Sequence, residues 1–303
     1  MNISNTIREY IDTFKEDDQI VSDGKKGLAK SDLLQLKELV RNSIKDNNAI
    51  VGISLERSAL YIGIYLTLLE RGITVVPLNT EWSNEFKTYV LTHSGCTHTI
   101  NYQLIDERDT GIKNSTIEIK PCGDKQYEWE KPISYIIFTS GSTGKPKAVR
   151  VGQSQVIHYL TAIMSLYQPT EHDRFSQVIE LTFDLSVHDI FVCWASGAAL
   201  MVFNGQNYLQ LSRYIENQKP TFWLSVPSTG IALDRLKLLQ HNKFNSLKVV
   251  LFCGEPLPFY LAQAWKNASP QAEISNIYGP TEATIAFTTH KLSEANDQQC
   301  HKV

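Results

Sequence analysis

No run in the 303-residue sequence approaches the roughly 18 uninterrupted apolar residues that a membrane-spanning helix needs, so nothing in it reads as a span. The stretch from Met1 to Tyr10 lacks the basic start and apolar core of a secretory signal. Cysteine is scarce. Five residues (Cys96, Cys122, Cys193, Cys253 and Cys300) are scattered, odd in number and free of any CxxC pair. That pattern argues against a disulfide framework and a zinc site and suits a reducing compartment. A basic excess is also missing: 29 Lys and Arg stand against 32 Asp and Glu, a formal net charge of -3. A general nucleic-acid binder would show a basic face, so no nucleic-acid partner is expected. Fixed-period repeats and low-complexity tracts are absent as well. These absences point to a cytoplasmic protein.

What is present is an ordinary globular composition, 42% hydrophobic and 20% charged, enough for one large domain or two packed ones. Apolar runs alternate with helical patterns, the mark of an α/β fold whose sheets are mostly parallel and flanked by helices. Helices are expected over 33–45 (with Ser31 and Asp32 as caps), 57–70 and 82–93, and strands over 49–54 and 73–77. Residues 105–132 mix Gly, Pro and charges with weak periodicity and read as an irregular connection. On this basis 1–132 form a first subdomain and 133–303 a second. In the second, strands are expected from Ile133 and over 177–181, 199–203, 221–226, 248–252 and 274–277. Helices are expected over 153–166, 187–195, 208–218, 229–240 and 257–268.

Four stretches carry chemistry. In the first, an apolar run from Tyr135 stops abruptly at Thr139, Ser140, Gly141, Ser142, Thr143, Gly144, Lys145, Pro146 and Lys147. A strand delivering hydroxyls, backbone N–H groups and two lysines to a sheet edge suits phosphate. It is not a Walker loop, because Pro146 and not Ser or Thr follows Lys145. Alone, it reads equally as a plain Gly/Ser turn. The second is Phe183-Asp184-Leu185-Ser186-Val187-His188-Asp189. Alone, Asp184 reads as an N-cap or turn aspartate; the alternative is a pocket carboxylate that pairs with a substrate ammonium.

The third stretch, Val250 to Pro258, runs a strand through Cys253, Gly254 and Glu255 into a helix. Open α/β sheets bind ligands at such places, although a lone Cys253 reads as a small buried hydrophobe. The fourth is Asn276, Ile277, Tyr278, Gly279, Pro280, Thr281 and Glu282, where Gly-Pro sets a tight turn at a strand end. Tyr278 offers a face to stack on a base, Thr281 a hydroxyl for a phosphate, and Glu282 a carboxylate for Mg²⁺. With the 139–147 loop it supplies every group an ATP site needs.

These residues resemble the adenylate-forming superfamily of acyl- and aryl-CoA synthetases, luciferases and amino-acid adenylation domains. The 139–147 loop is similar to its phosphate loop and 276–282 to its adenine motif. Asp184 narrows the match to amino-acid-activating members, and its pairing with Phe-Cys-Gly-Glu resembles D-alanine–carrier-protein ligases. The resemblance runs from about residue 50 onward. It implies an ATP-dependent ligase with Mg²⁺, a small amino acid and a phosphopantetheinylated carrier protein as partners. By the same resemblance the 139–147 loop, with Lys147, meets the β,γ-phosphates, and Gly254 and Glu255 flank the nucleotide. Asn276 to Tyr278 hold adenine with Gly279 and Pro280 also against the cofactor, Thr281 the α-phosphate, Glu282 Mg²⁺, and Asp184 the substrate ammonium. Cys253, Ile285 and His188 line the amino-acid pocket.

Departures from the family pattern sharpen the expectation. Ala148 stands where the family usually has Gly. His188 stands where D-alanine ligases carry an apolar residue, which keeps glycine and other small amino acids open beside D-alanine. The ribose-binding Thr-Gly-Asp, the hinge and the lysine-bearing C-terminal domain do not appear before Val303. The large domain is therefore expected to be incomplete, with weak ATP binding and slow adenylation by this chain alone. Completion by a separate chain, an inactive fragment, and an acyl- or aryl-CoA synthetase are the alternatives.

Overall fold

The apolar runs become strands and the amphipathic ones helices in the computed structural model, which describes residues 3–16, 18–24, 27–103, 116–123, 132–140 and 145–292. The chain opens with α1 (Ile3–Thr13), β1 (Gln19–Ser22), β2 (Gly27–Ala29) and α2 (Lys30–Ser43). Then come β3 (Ile50–Ser54), α3 (Ala59–Glu70), β4 (Thr74–Pro77), α4 (Asn84–Ser94), β5 (His98–Gln103) and β6 (Thr116–Pro121). The middle holds β7 (Ile133–Thr139), β8 (Lys147–Gly152), α5 (Gln153–Tyr167), β9 (Arg174–Gln177), α6 (Leu185–Ser196) and β10 (Ala199–Val202). The last part holds α7 (Tyr208–Gln218), β11 (Phe222–Ser225), α8 (Pro227–Arg235), β12 (Val249–Phe252), α9 (Phe259–Ala268), β13 (Glu273–Tyr278) and β14 (Thr288–Lys291). A 3₁₀ turn, Thr281–Ala283, precedes β14.

The strands form two sheets, in the orders β14-β13-β12-β11-β9-β10-β1-β2 and β6-β5-β3-β4-β7-β8. Pairing is parallel except at the outermost pair on either side of each sheet. The α/β class with two mostly parallel sheets is thus the observed architecture. A division of the chain after residue 132 does not match the sheets, however. β1 and β2 join the sheet of the later strands, with Val21 opposite Leu200, while β7 and β8 complete the sheet of the earlier ones.

Two helices occupy the space between the sheets. Every residue of α3 from Tyr61 to Leu69 is buried, and so is every residue of α6 from Leu185 to Trp194. A helix apolar all round must be covered all round. Accordingly α3 touches β4 of one sheet and β1 and β2 of the other, and α6 packs on β9 and β10. Tyr65 of α3 meets Phe191 and Trp194 of α6 with ring centroids 6.1 and 6.3 Å apart. Each fully buried Leu or Ile in such a layer contributes about 1.5–3 kcal/mol.

Several local expectations need correction. The connection expected over 105–132 contains β6, paired with β5 so that Ile100 faces Ile119. Its Thr-Ile-Glu-Ile-Lys alternation is a half-buried edge strand set among charges. The strand expected over 177–181 lies earlier, at β9, because Arg174 and Gln177 place polar residues at the ends of a parallel strand. The helix expected over 229–240 starts two residues sooner, with Pro227 at its first position, and ends at Arg235. Ser31 and Asp32 do not cap α2 as its N-cap. That position is Ala29, and Asp32 accepts the Ala29 N–H at 3.0 Å.

Candidate functional site

The hydroxyl-rich loop is the connection of the β7–β8 hairpin. β7 is apolar and buried, and β8 lies at the sheet edge, with Thr139 opposite Lys147. Ser140, Lys145 and Lys147 are exposed, whereas Gly141, Ser142, Thr143 and Gly144 lie outside the described residues. Helix α4 steadies the base of the hairpin, where the Tyr89 hydroxyl donates to the Pro146 carbonyl at 3.0 Å. Ala148 is half-buried in β8. The 3₁₀ turn Thr281–Ala283 packs directly against β8. The first and fourth stretches are therefore neighbours in space.

Asp184 occupies the N-cap position of α6, but its side chain makes no capping bond. The carboxylate is buried, and its Oδ2 has no hydrogen-bond partner. Burial pushes its pKa up to about 6, against a Thr281 hydroxyl bond that holds it down. An anion kept at this depth with a free oxygen is costly unless a cation arrives. Tyr135 of β7 is fully buried with an unpartnered hydroxyl, and the Asp184 charge reaches it. Tyr135 was absent from the sequence-derived candidates because it sits in a run that reads wholly as core.

His188 follows Asp184 by one helical turn and faces the same side. It is buried, and its Nδ1 pairs with the Tyr159 hydroxyl at 2.7 Å. Burial lowers its pKa to about 3, so the imidazole is neutral. Tyr159, on α5, is a second residue that sequence reasoning missed, since a Tyr in an amphipathic helix carries no distinguishing signal. Cys253 is 1% exposed, and burial pushes its thiol up to about 11. The backbone N–H groups of Gly254 and Gly279 point at its sulfur, and the Asp184 charge lies nearby. One buried sulfur thus sits between the third and fourth stretches and the carboxylate.

Two glycines are required by geometry. Gly254 has φ +88°, a conformation that side chains disfavour. A Cβ on Gly279 would stand 2.5 Å from the Ala286 Cα, so the turn at 279–280 folds directly onto 285–286. Ile285, with φ 71°, is 1% exposed beneath it. Above, Tyr278 and Phe287 form an exposed edge-to-face pair 5.8 Å apart, and the buried Asn276 Oδ1 has no partner. An open aromatic face beside an unfilled acceptor is what a purine with an exocyclic amine would complete.

Glu255 behaves differently from its neighbours. Its carboxylate accepts the Ser228 N–H at 2.7 Å and the Ser228 hydroxyl at 2.9 Å. It therefore neutralises the N-terminus of α8. Glu282 is exposed on the 3₁₀ turn, and among the described residues no group of three or more His, Cys, Asp or Glu is arranged to hold a metal. One exposed carboxylate fits a Mg²⁺ that takes its other ligands from phosphates and water. Clefts of about 480 Å³ beside Phe203 and about 380 Å³ beside Phe259 contain no residue of the four stretches. Unpaired buried polar atoms, not cleft size, mark this site.

Residues 39–303 match the model of the AMP-binding enzyme family. The chain belongs to that family. Among similar family members is bacitracin synthase 1 of Bacillus licheniformis, 30% identical over 238 residues, which are 78% of this chain and 4% of the synthase. Another is the D-alanine–D-alanyl carrier protein ligase of Staphylococcus aureus (strain Newman), 36% identical over 163 residues, or 53% of this chain and 34% of the ligase. The crystal structure of the Vibrio cholerae adenylation domain AlmE in complex with glycyl-adenosine-5'-phosphate superposes with a TM-score of 0.82. It is 26% identical, and the match covers 98% of this chain and 63% of that one. The AMP-binding chain thus spans less than two thirds of the length of these relatives. Among its described residues no helix is long and apolar enough to cross a membrane.

Proposed function

We propose that this AMP-binding chain holds ATP and a small amino acid for adenylation, and that the aminoacyl group then passes to a carrier-protein phosphopantetheine thiol. The observation that carries the reading is the buried Asp184 carboxylate with its unpartnered oxygen, between the hairpin and the Asn276–Glu282 turn. Such a carboxylate suits an α-ammonium and has no use for a fatty or aryl acid. The glycyl-adenylate in AlmE and the D-alanyl substrate named for the S. aureus ligase support a small side chain. The Asp184 charge acts on Tyr135, Tyr159 and Cys253, and His188 follows it by one helical turn, so bulky neighbours on its side favour a small substrate side chain. D-Alanine and glycine are the two candidates.

In the first half-reaction the amino-acid carboxylate oxygen attacks the ATP α-phosphorus, and the bond to the β-phosphate oxygen breaks to release pyrophosphate. A carboxylate is already nucleophilic, so positioning and charge neutralisation do most of the work. Lys145 and Lys147, with Thr139 and Ser140, meet the β,γ-phosphates. Tyr278 stacks on adenine and the Asn276 Oδ1 accepts its amine. Thr281, already bonded to Asp184, stands between the ammonium site and the α-phosphate. Glu282 is the residue that would hold Mg²⁺, which supplies charge neutralisation at the phosphate oxygens when bound. In the second half-reaction the thiolate attacks the acyl carbon and AMP leaves.

Titration calorimetry on this chain tests the reading. Glycyl- or D-alanyl-sulfamoyladenosine should bind at least about tenfold tighter than propionyl-sulfamoyladenosine, which lacks the ammonium. Equal affinities, or tighter binding of a long acyl analogue, would refute it in favour of a CoA synthetase.

A further inference from the structure

The segment that presents Asp184 is tied to the start of α6, where the Ser186 hydroxyl donates to the Phe183 carbonyl at 2.7 Å. Between β9 and α6, residues 178–184 form a loop whose contacts include the Gln177 Nε2 bond to the Ile179 carbonyl at 2.6 Å and a turn from Phe183 N–H to the Glu180 carbonyl at 3.0 Å. A side chain from the other sheet reaches into it. Arg57, in the connection from β3 to α3, donates from its guanidinium to the Val178 carbonyl at 2.5 Å and lies 5.8 Å from the centroid of the Phe203 ring. Beneath the loop, Asp189 of α6 is 2% exposed with an unpartnered Oδ2, and the Arg57 Nε is likewise buried without a partner. Glu180 of the loop attracts the guanidinium more than Asp189 does, and burial pushes the Asp189 carboxyl well up against the pull of Arg57.

An arginine buried here is costly, because guanidinium desolvation opposes it. A hydrophobic residue of similar length would fill the space more cheaply but could neither donate to the Val178 carbonyl nor attract Glu180 and Asp189. The guanidinium holds the loop at its start, through Val178, and attracts the helix one residue past His188, through Asp189. Asp184 lies between those two points.

We propose that Arg57 is a positioning residue for the ammonium pocket, fixing the Val178–Asp189 segment so that the Asp184 carboxylate faces the substrate. It touches neither substrate nor nucleotide. The inference rests on the reading of Asp184 given above, so the experiment separates the two. The measured quantity is the affinity ratio of glycyl- to propionyl-sulfamoyladenosine, determined by calorimetry for the wild type, Asp184→Asn, Arg57→Gln, Arg57→Lys and the Asp184→Asn/Arg57→Gln double variant.

Arg57→Gln should lower the ratio by about tenfold, within the range for coupled neighbours, while the propionyl ligand binds as in the wild type to within about twofold. Arg57→Lys, which keeps the charge and loses the fork, should fall between, and it carries the same readout should the Gln variant fail to fold. In the Asp184→Asn background, Arg57→Gln should change the ratio by less than about twofold. A structural role alone would weaken both ligands equally, and that result overturns the proposal. So does an unchanged ratio in Arg57→Gln when Asp184→Asn abolishes it. A ratio unaffected by Asp184→Asn refutes the pocket itself and this inference with it.

Discussion

Asp184→Asn should make the ligand-free protein more stable at neutral pH while removing its preference for aminoacyl ligands. Burial raises the Asp184 pKa from an ordinary 3.8 to about 6. Between those values the folded protein holds a proton that the unfolded chain has released, so stability falls as pH rises through this window. At about 1.4 kcal/mol per pKa unit, the ionised carboxylate costs the fold about 3 kcal/mol above pH 6. Asparagine keeps the shape and an acceptor for Thr281 and does not ionise. It should therefore raise the melting temperature by about 5 °C at pH 7.5. The gain should shrink as the pH is lowered through 6 and vanish near about pH 4, where both proteins are neutral at this position. Thermal unfolding of the two proteins across that range reads the effect directly. A variant less stable than the wild type at pH 7.5, or a gain independent of pH, would show that the buried carboxylate is satisfied within the protein and awaits no cation.

Glu255→Ala should cost about 1 kcal/mol by uncapping α8, measured by denaturant unfolding, with nucleotide affinity retained. A loss of ATP binding at unchanged stability would return Glu255 to the nucleotide site. Gly279→Ala places a methyl group against the Ala286 backbone and should weaken binding of AMP at least about tenfold, because the turn carrying Tyr278 must shift. Wild-type AMP affinity in that variant would mean that the turn is slack. Cys253, its thiol pushed to about 11 by burial, should react with iodoacetamide at about pH 8 far more slowly than the exposed Cys122, as followed by peptide mass spectrometry. Equal labelling would mean that the pocket is open to solvent.

The parts of the site that lie in turns were legible in the sequence, because turns use Gly, Pro, Ser and charged residues whose functions differ. Asp184 could be picked out since an aspartate between apolar residues needs a reason. The pocket walls were not legible. Tyr135 and Tyr159 sit in apolar patterns where nothing but three-dimensional placement shows that one hydroxyl is left unpaired and the other meets His188. Arg57 looked like a helix-start residue, and its partner Val178 is 121 positions away. The fold class followed from alternation of strands and helices, while β6 and β8 were missed because short edge strands are half-polar. Sheet membership was hidden for a related reason, since strand pairing over long separations leaves no local trace.

The exchange of strands between the sheets places the chemistry across a seam. Lys145 and Lys147 ride on a hairpin of the six-stranded sheet, whereas Asp184, Cys253 and Glu282 belong to the segments of the eight-stranded one. On the proposed reading, any sliding of one sheet over the other would change the spacing between phosphate and amino acid across which the carboxylate oxygen approaches phosphorus. The same crossing means that a chain severed after residue 132 leaves each piece without strands its own sheet requires, β1 and β2 from one and β7 and β8 from the other. Arg57, which follows β3 of one sheet and donates to the Val178 carbonyl beyond β9 of the other, is one contact that spans the seam.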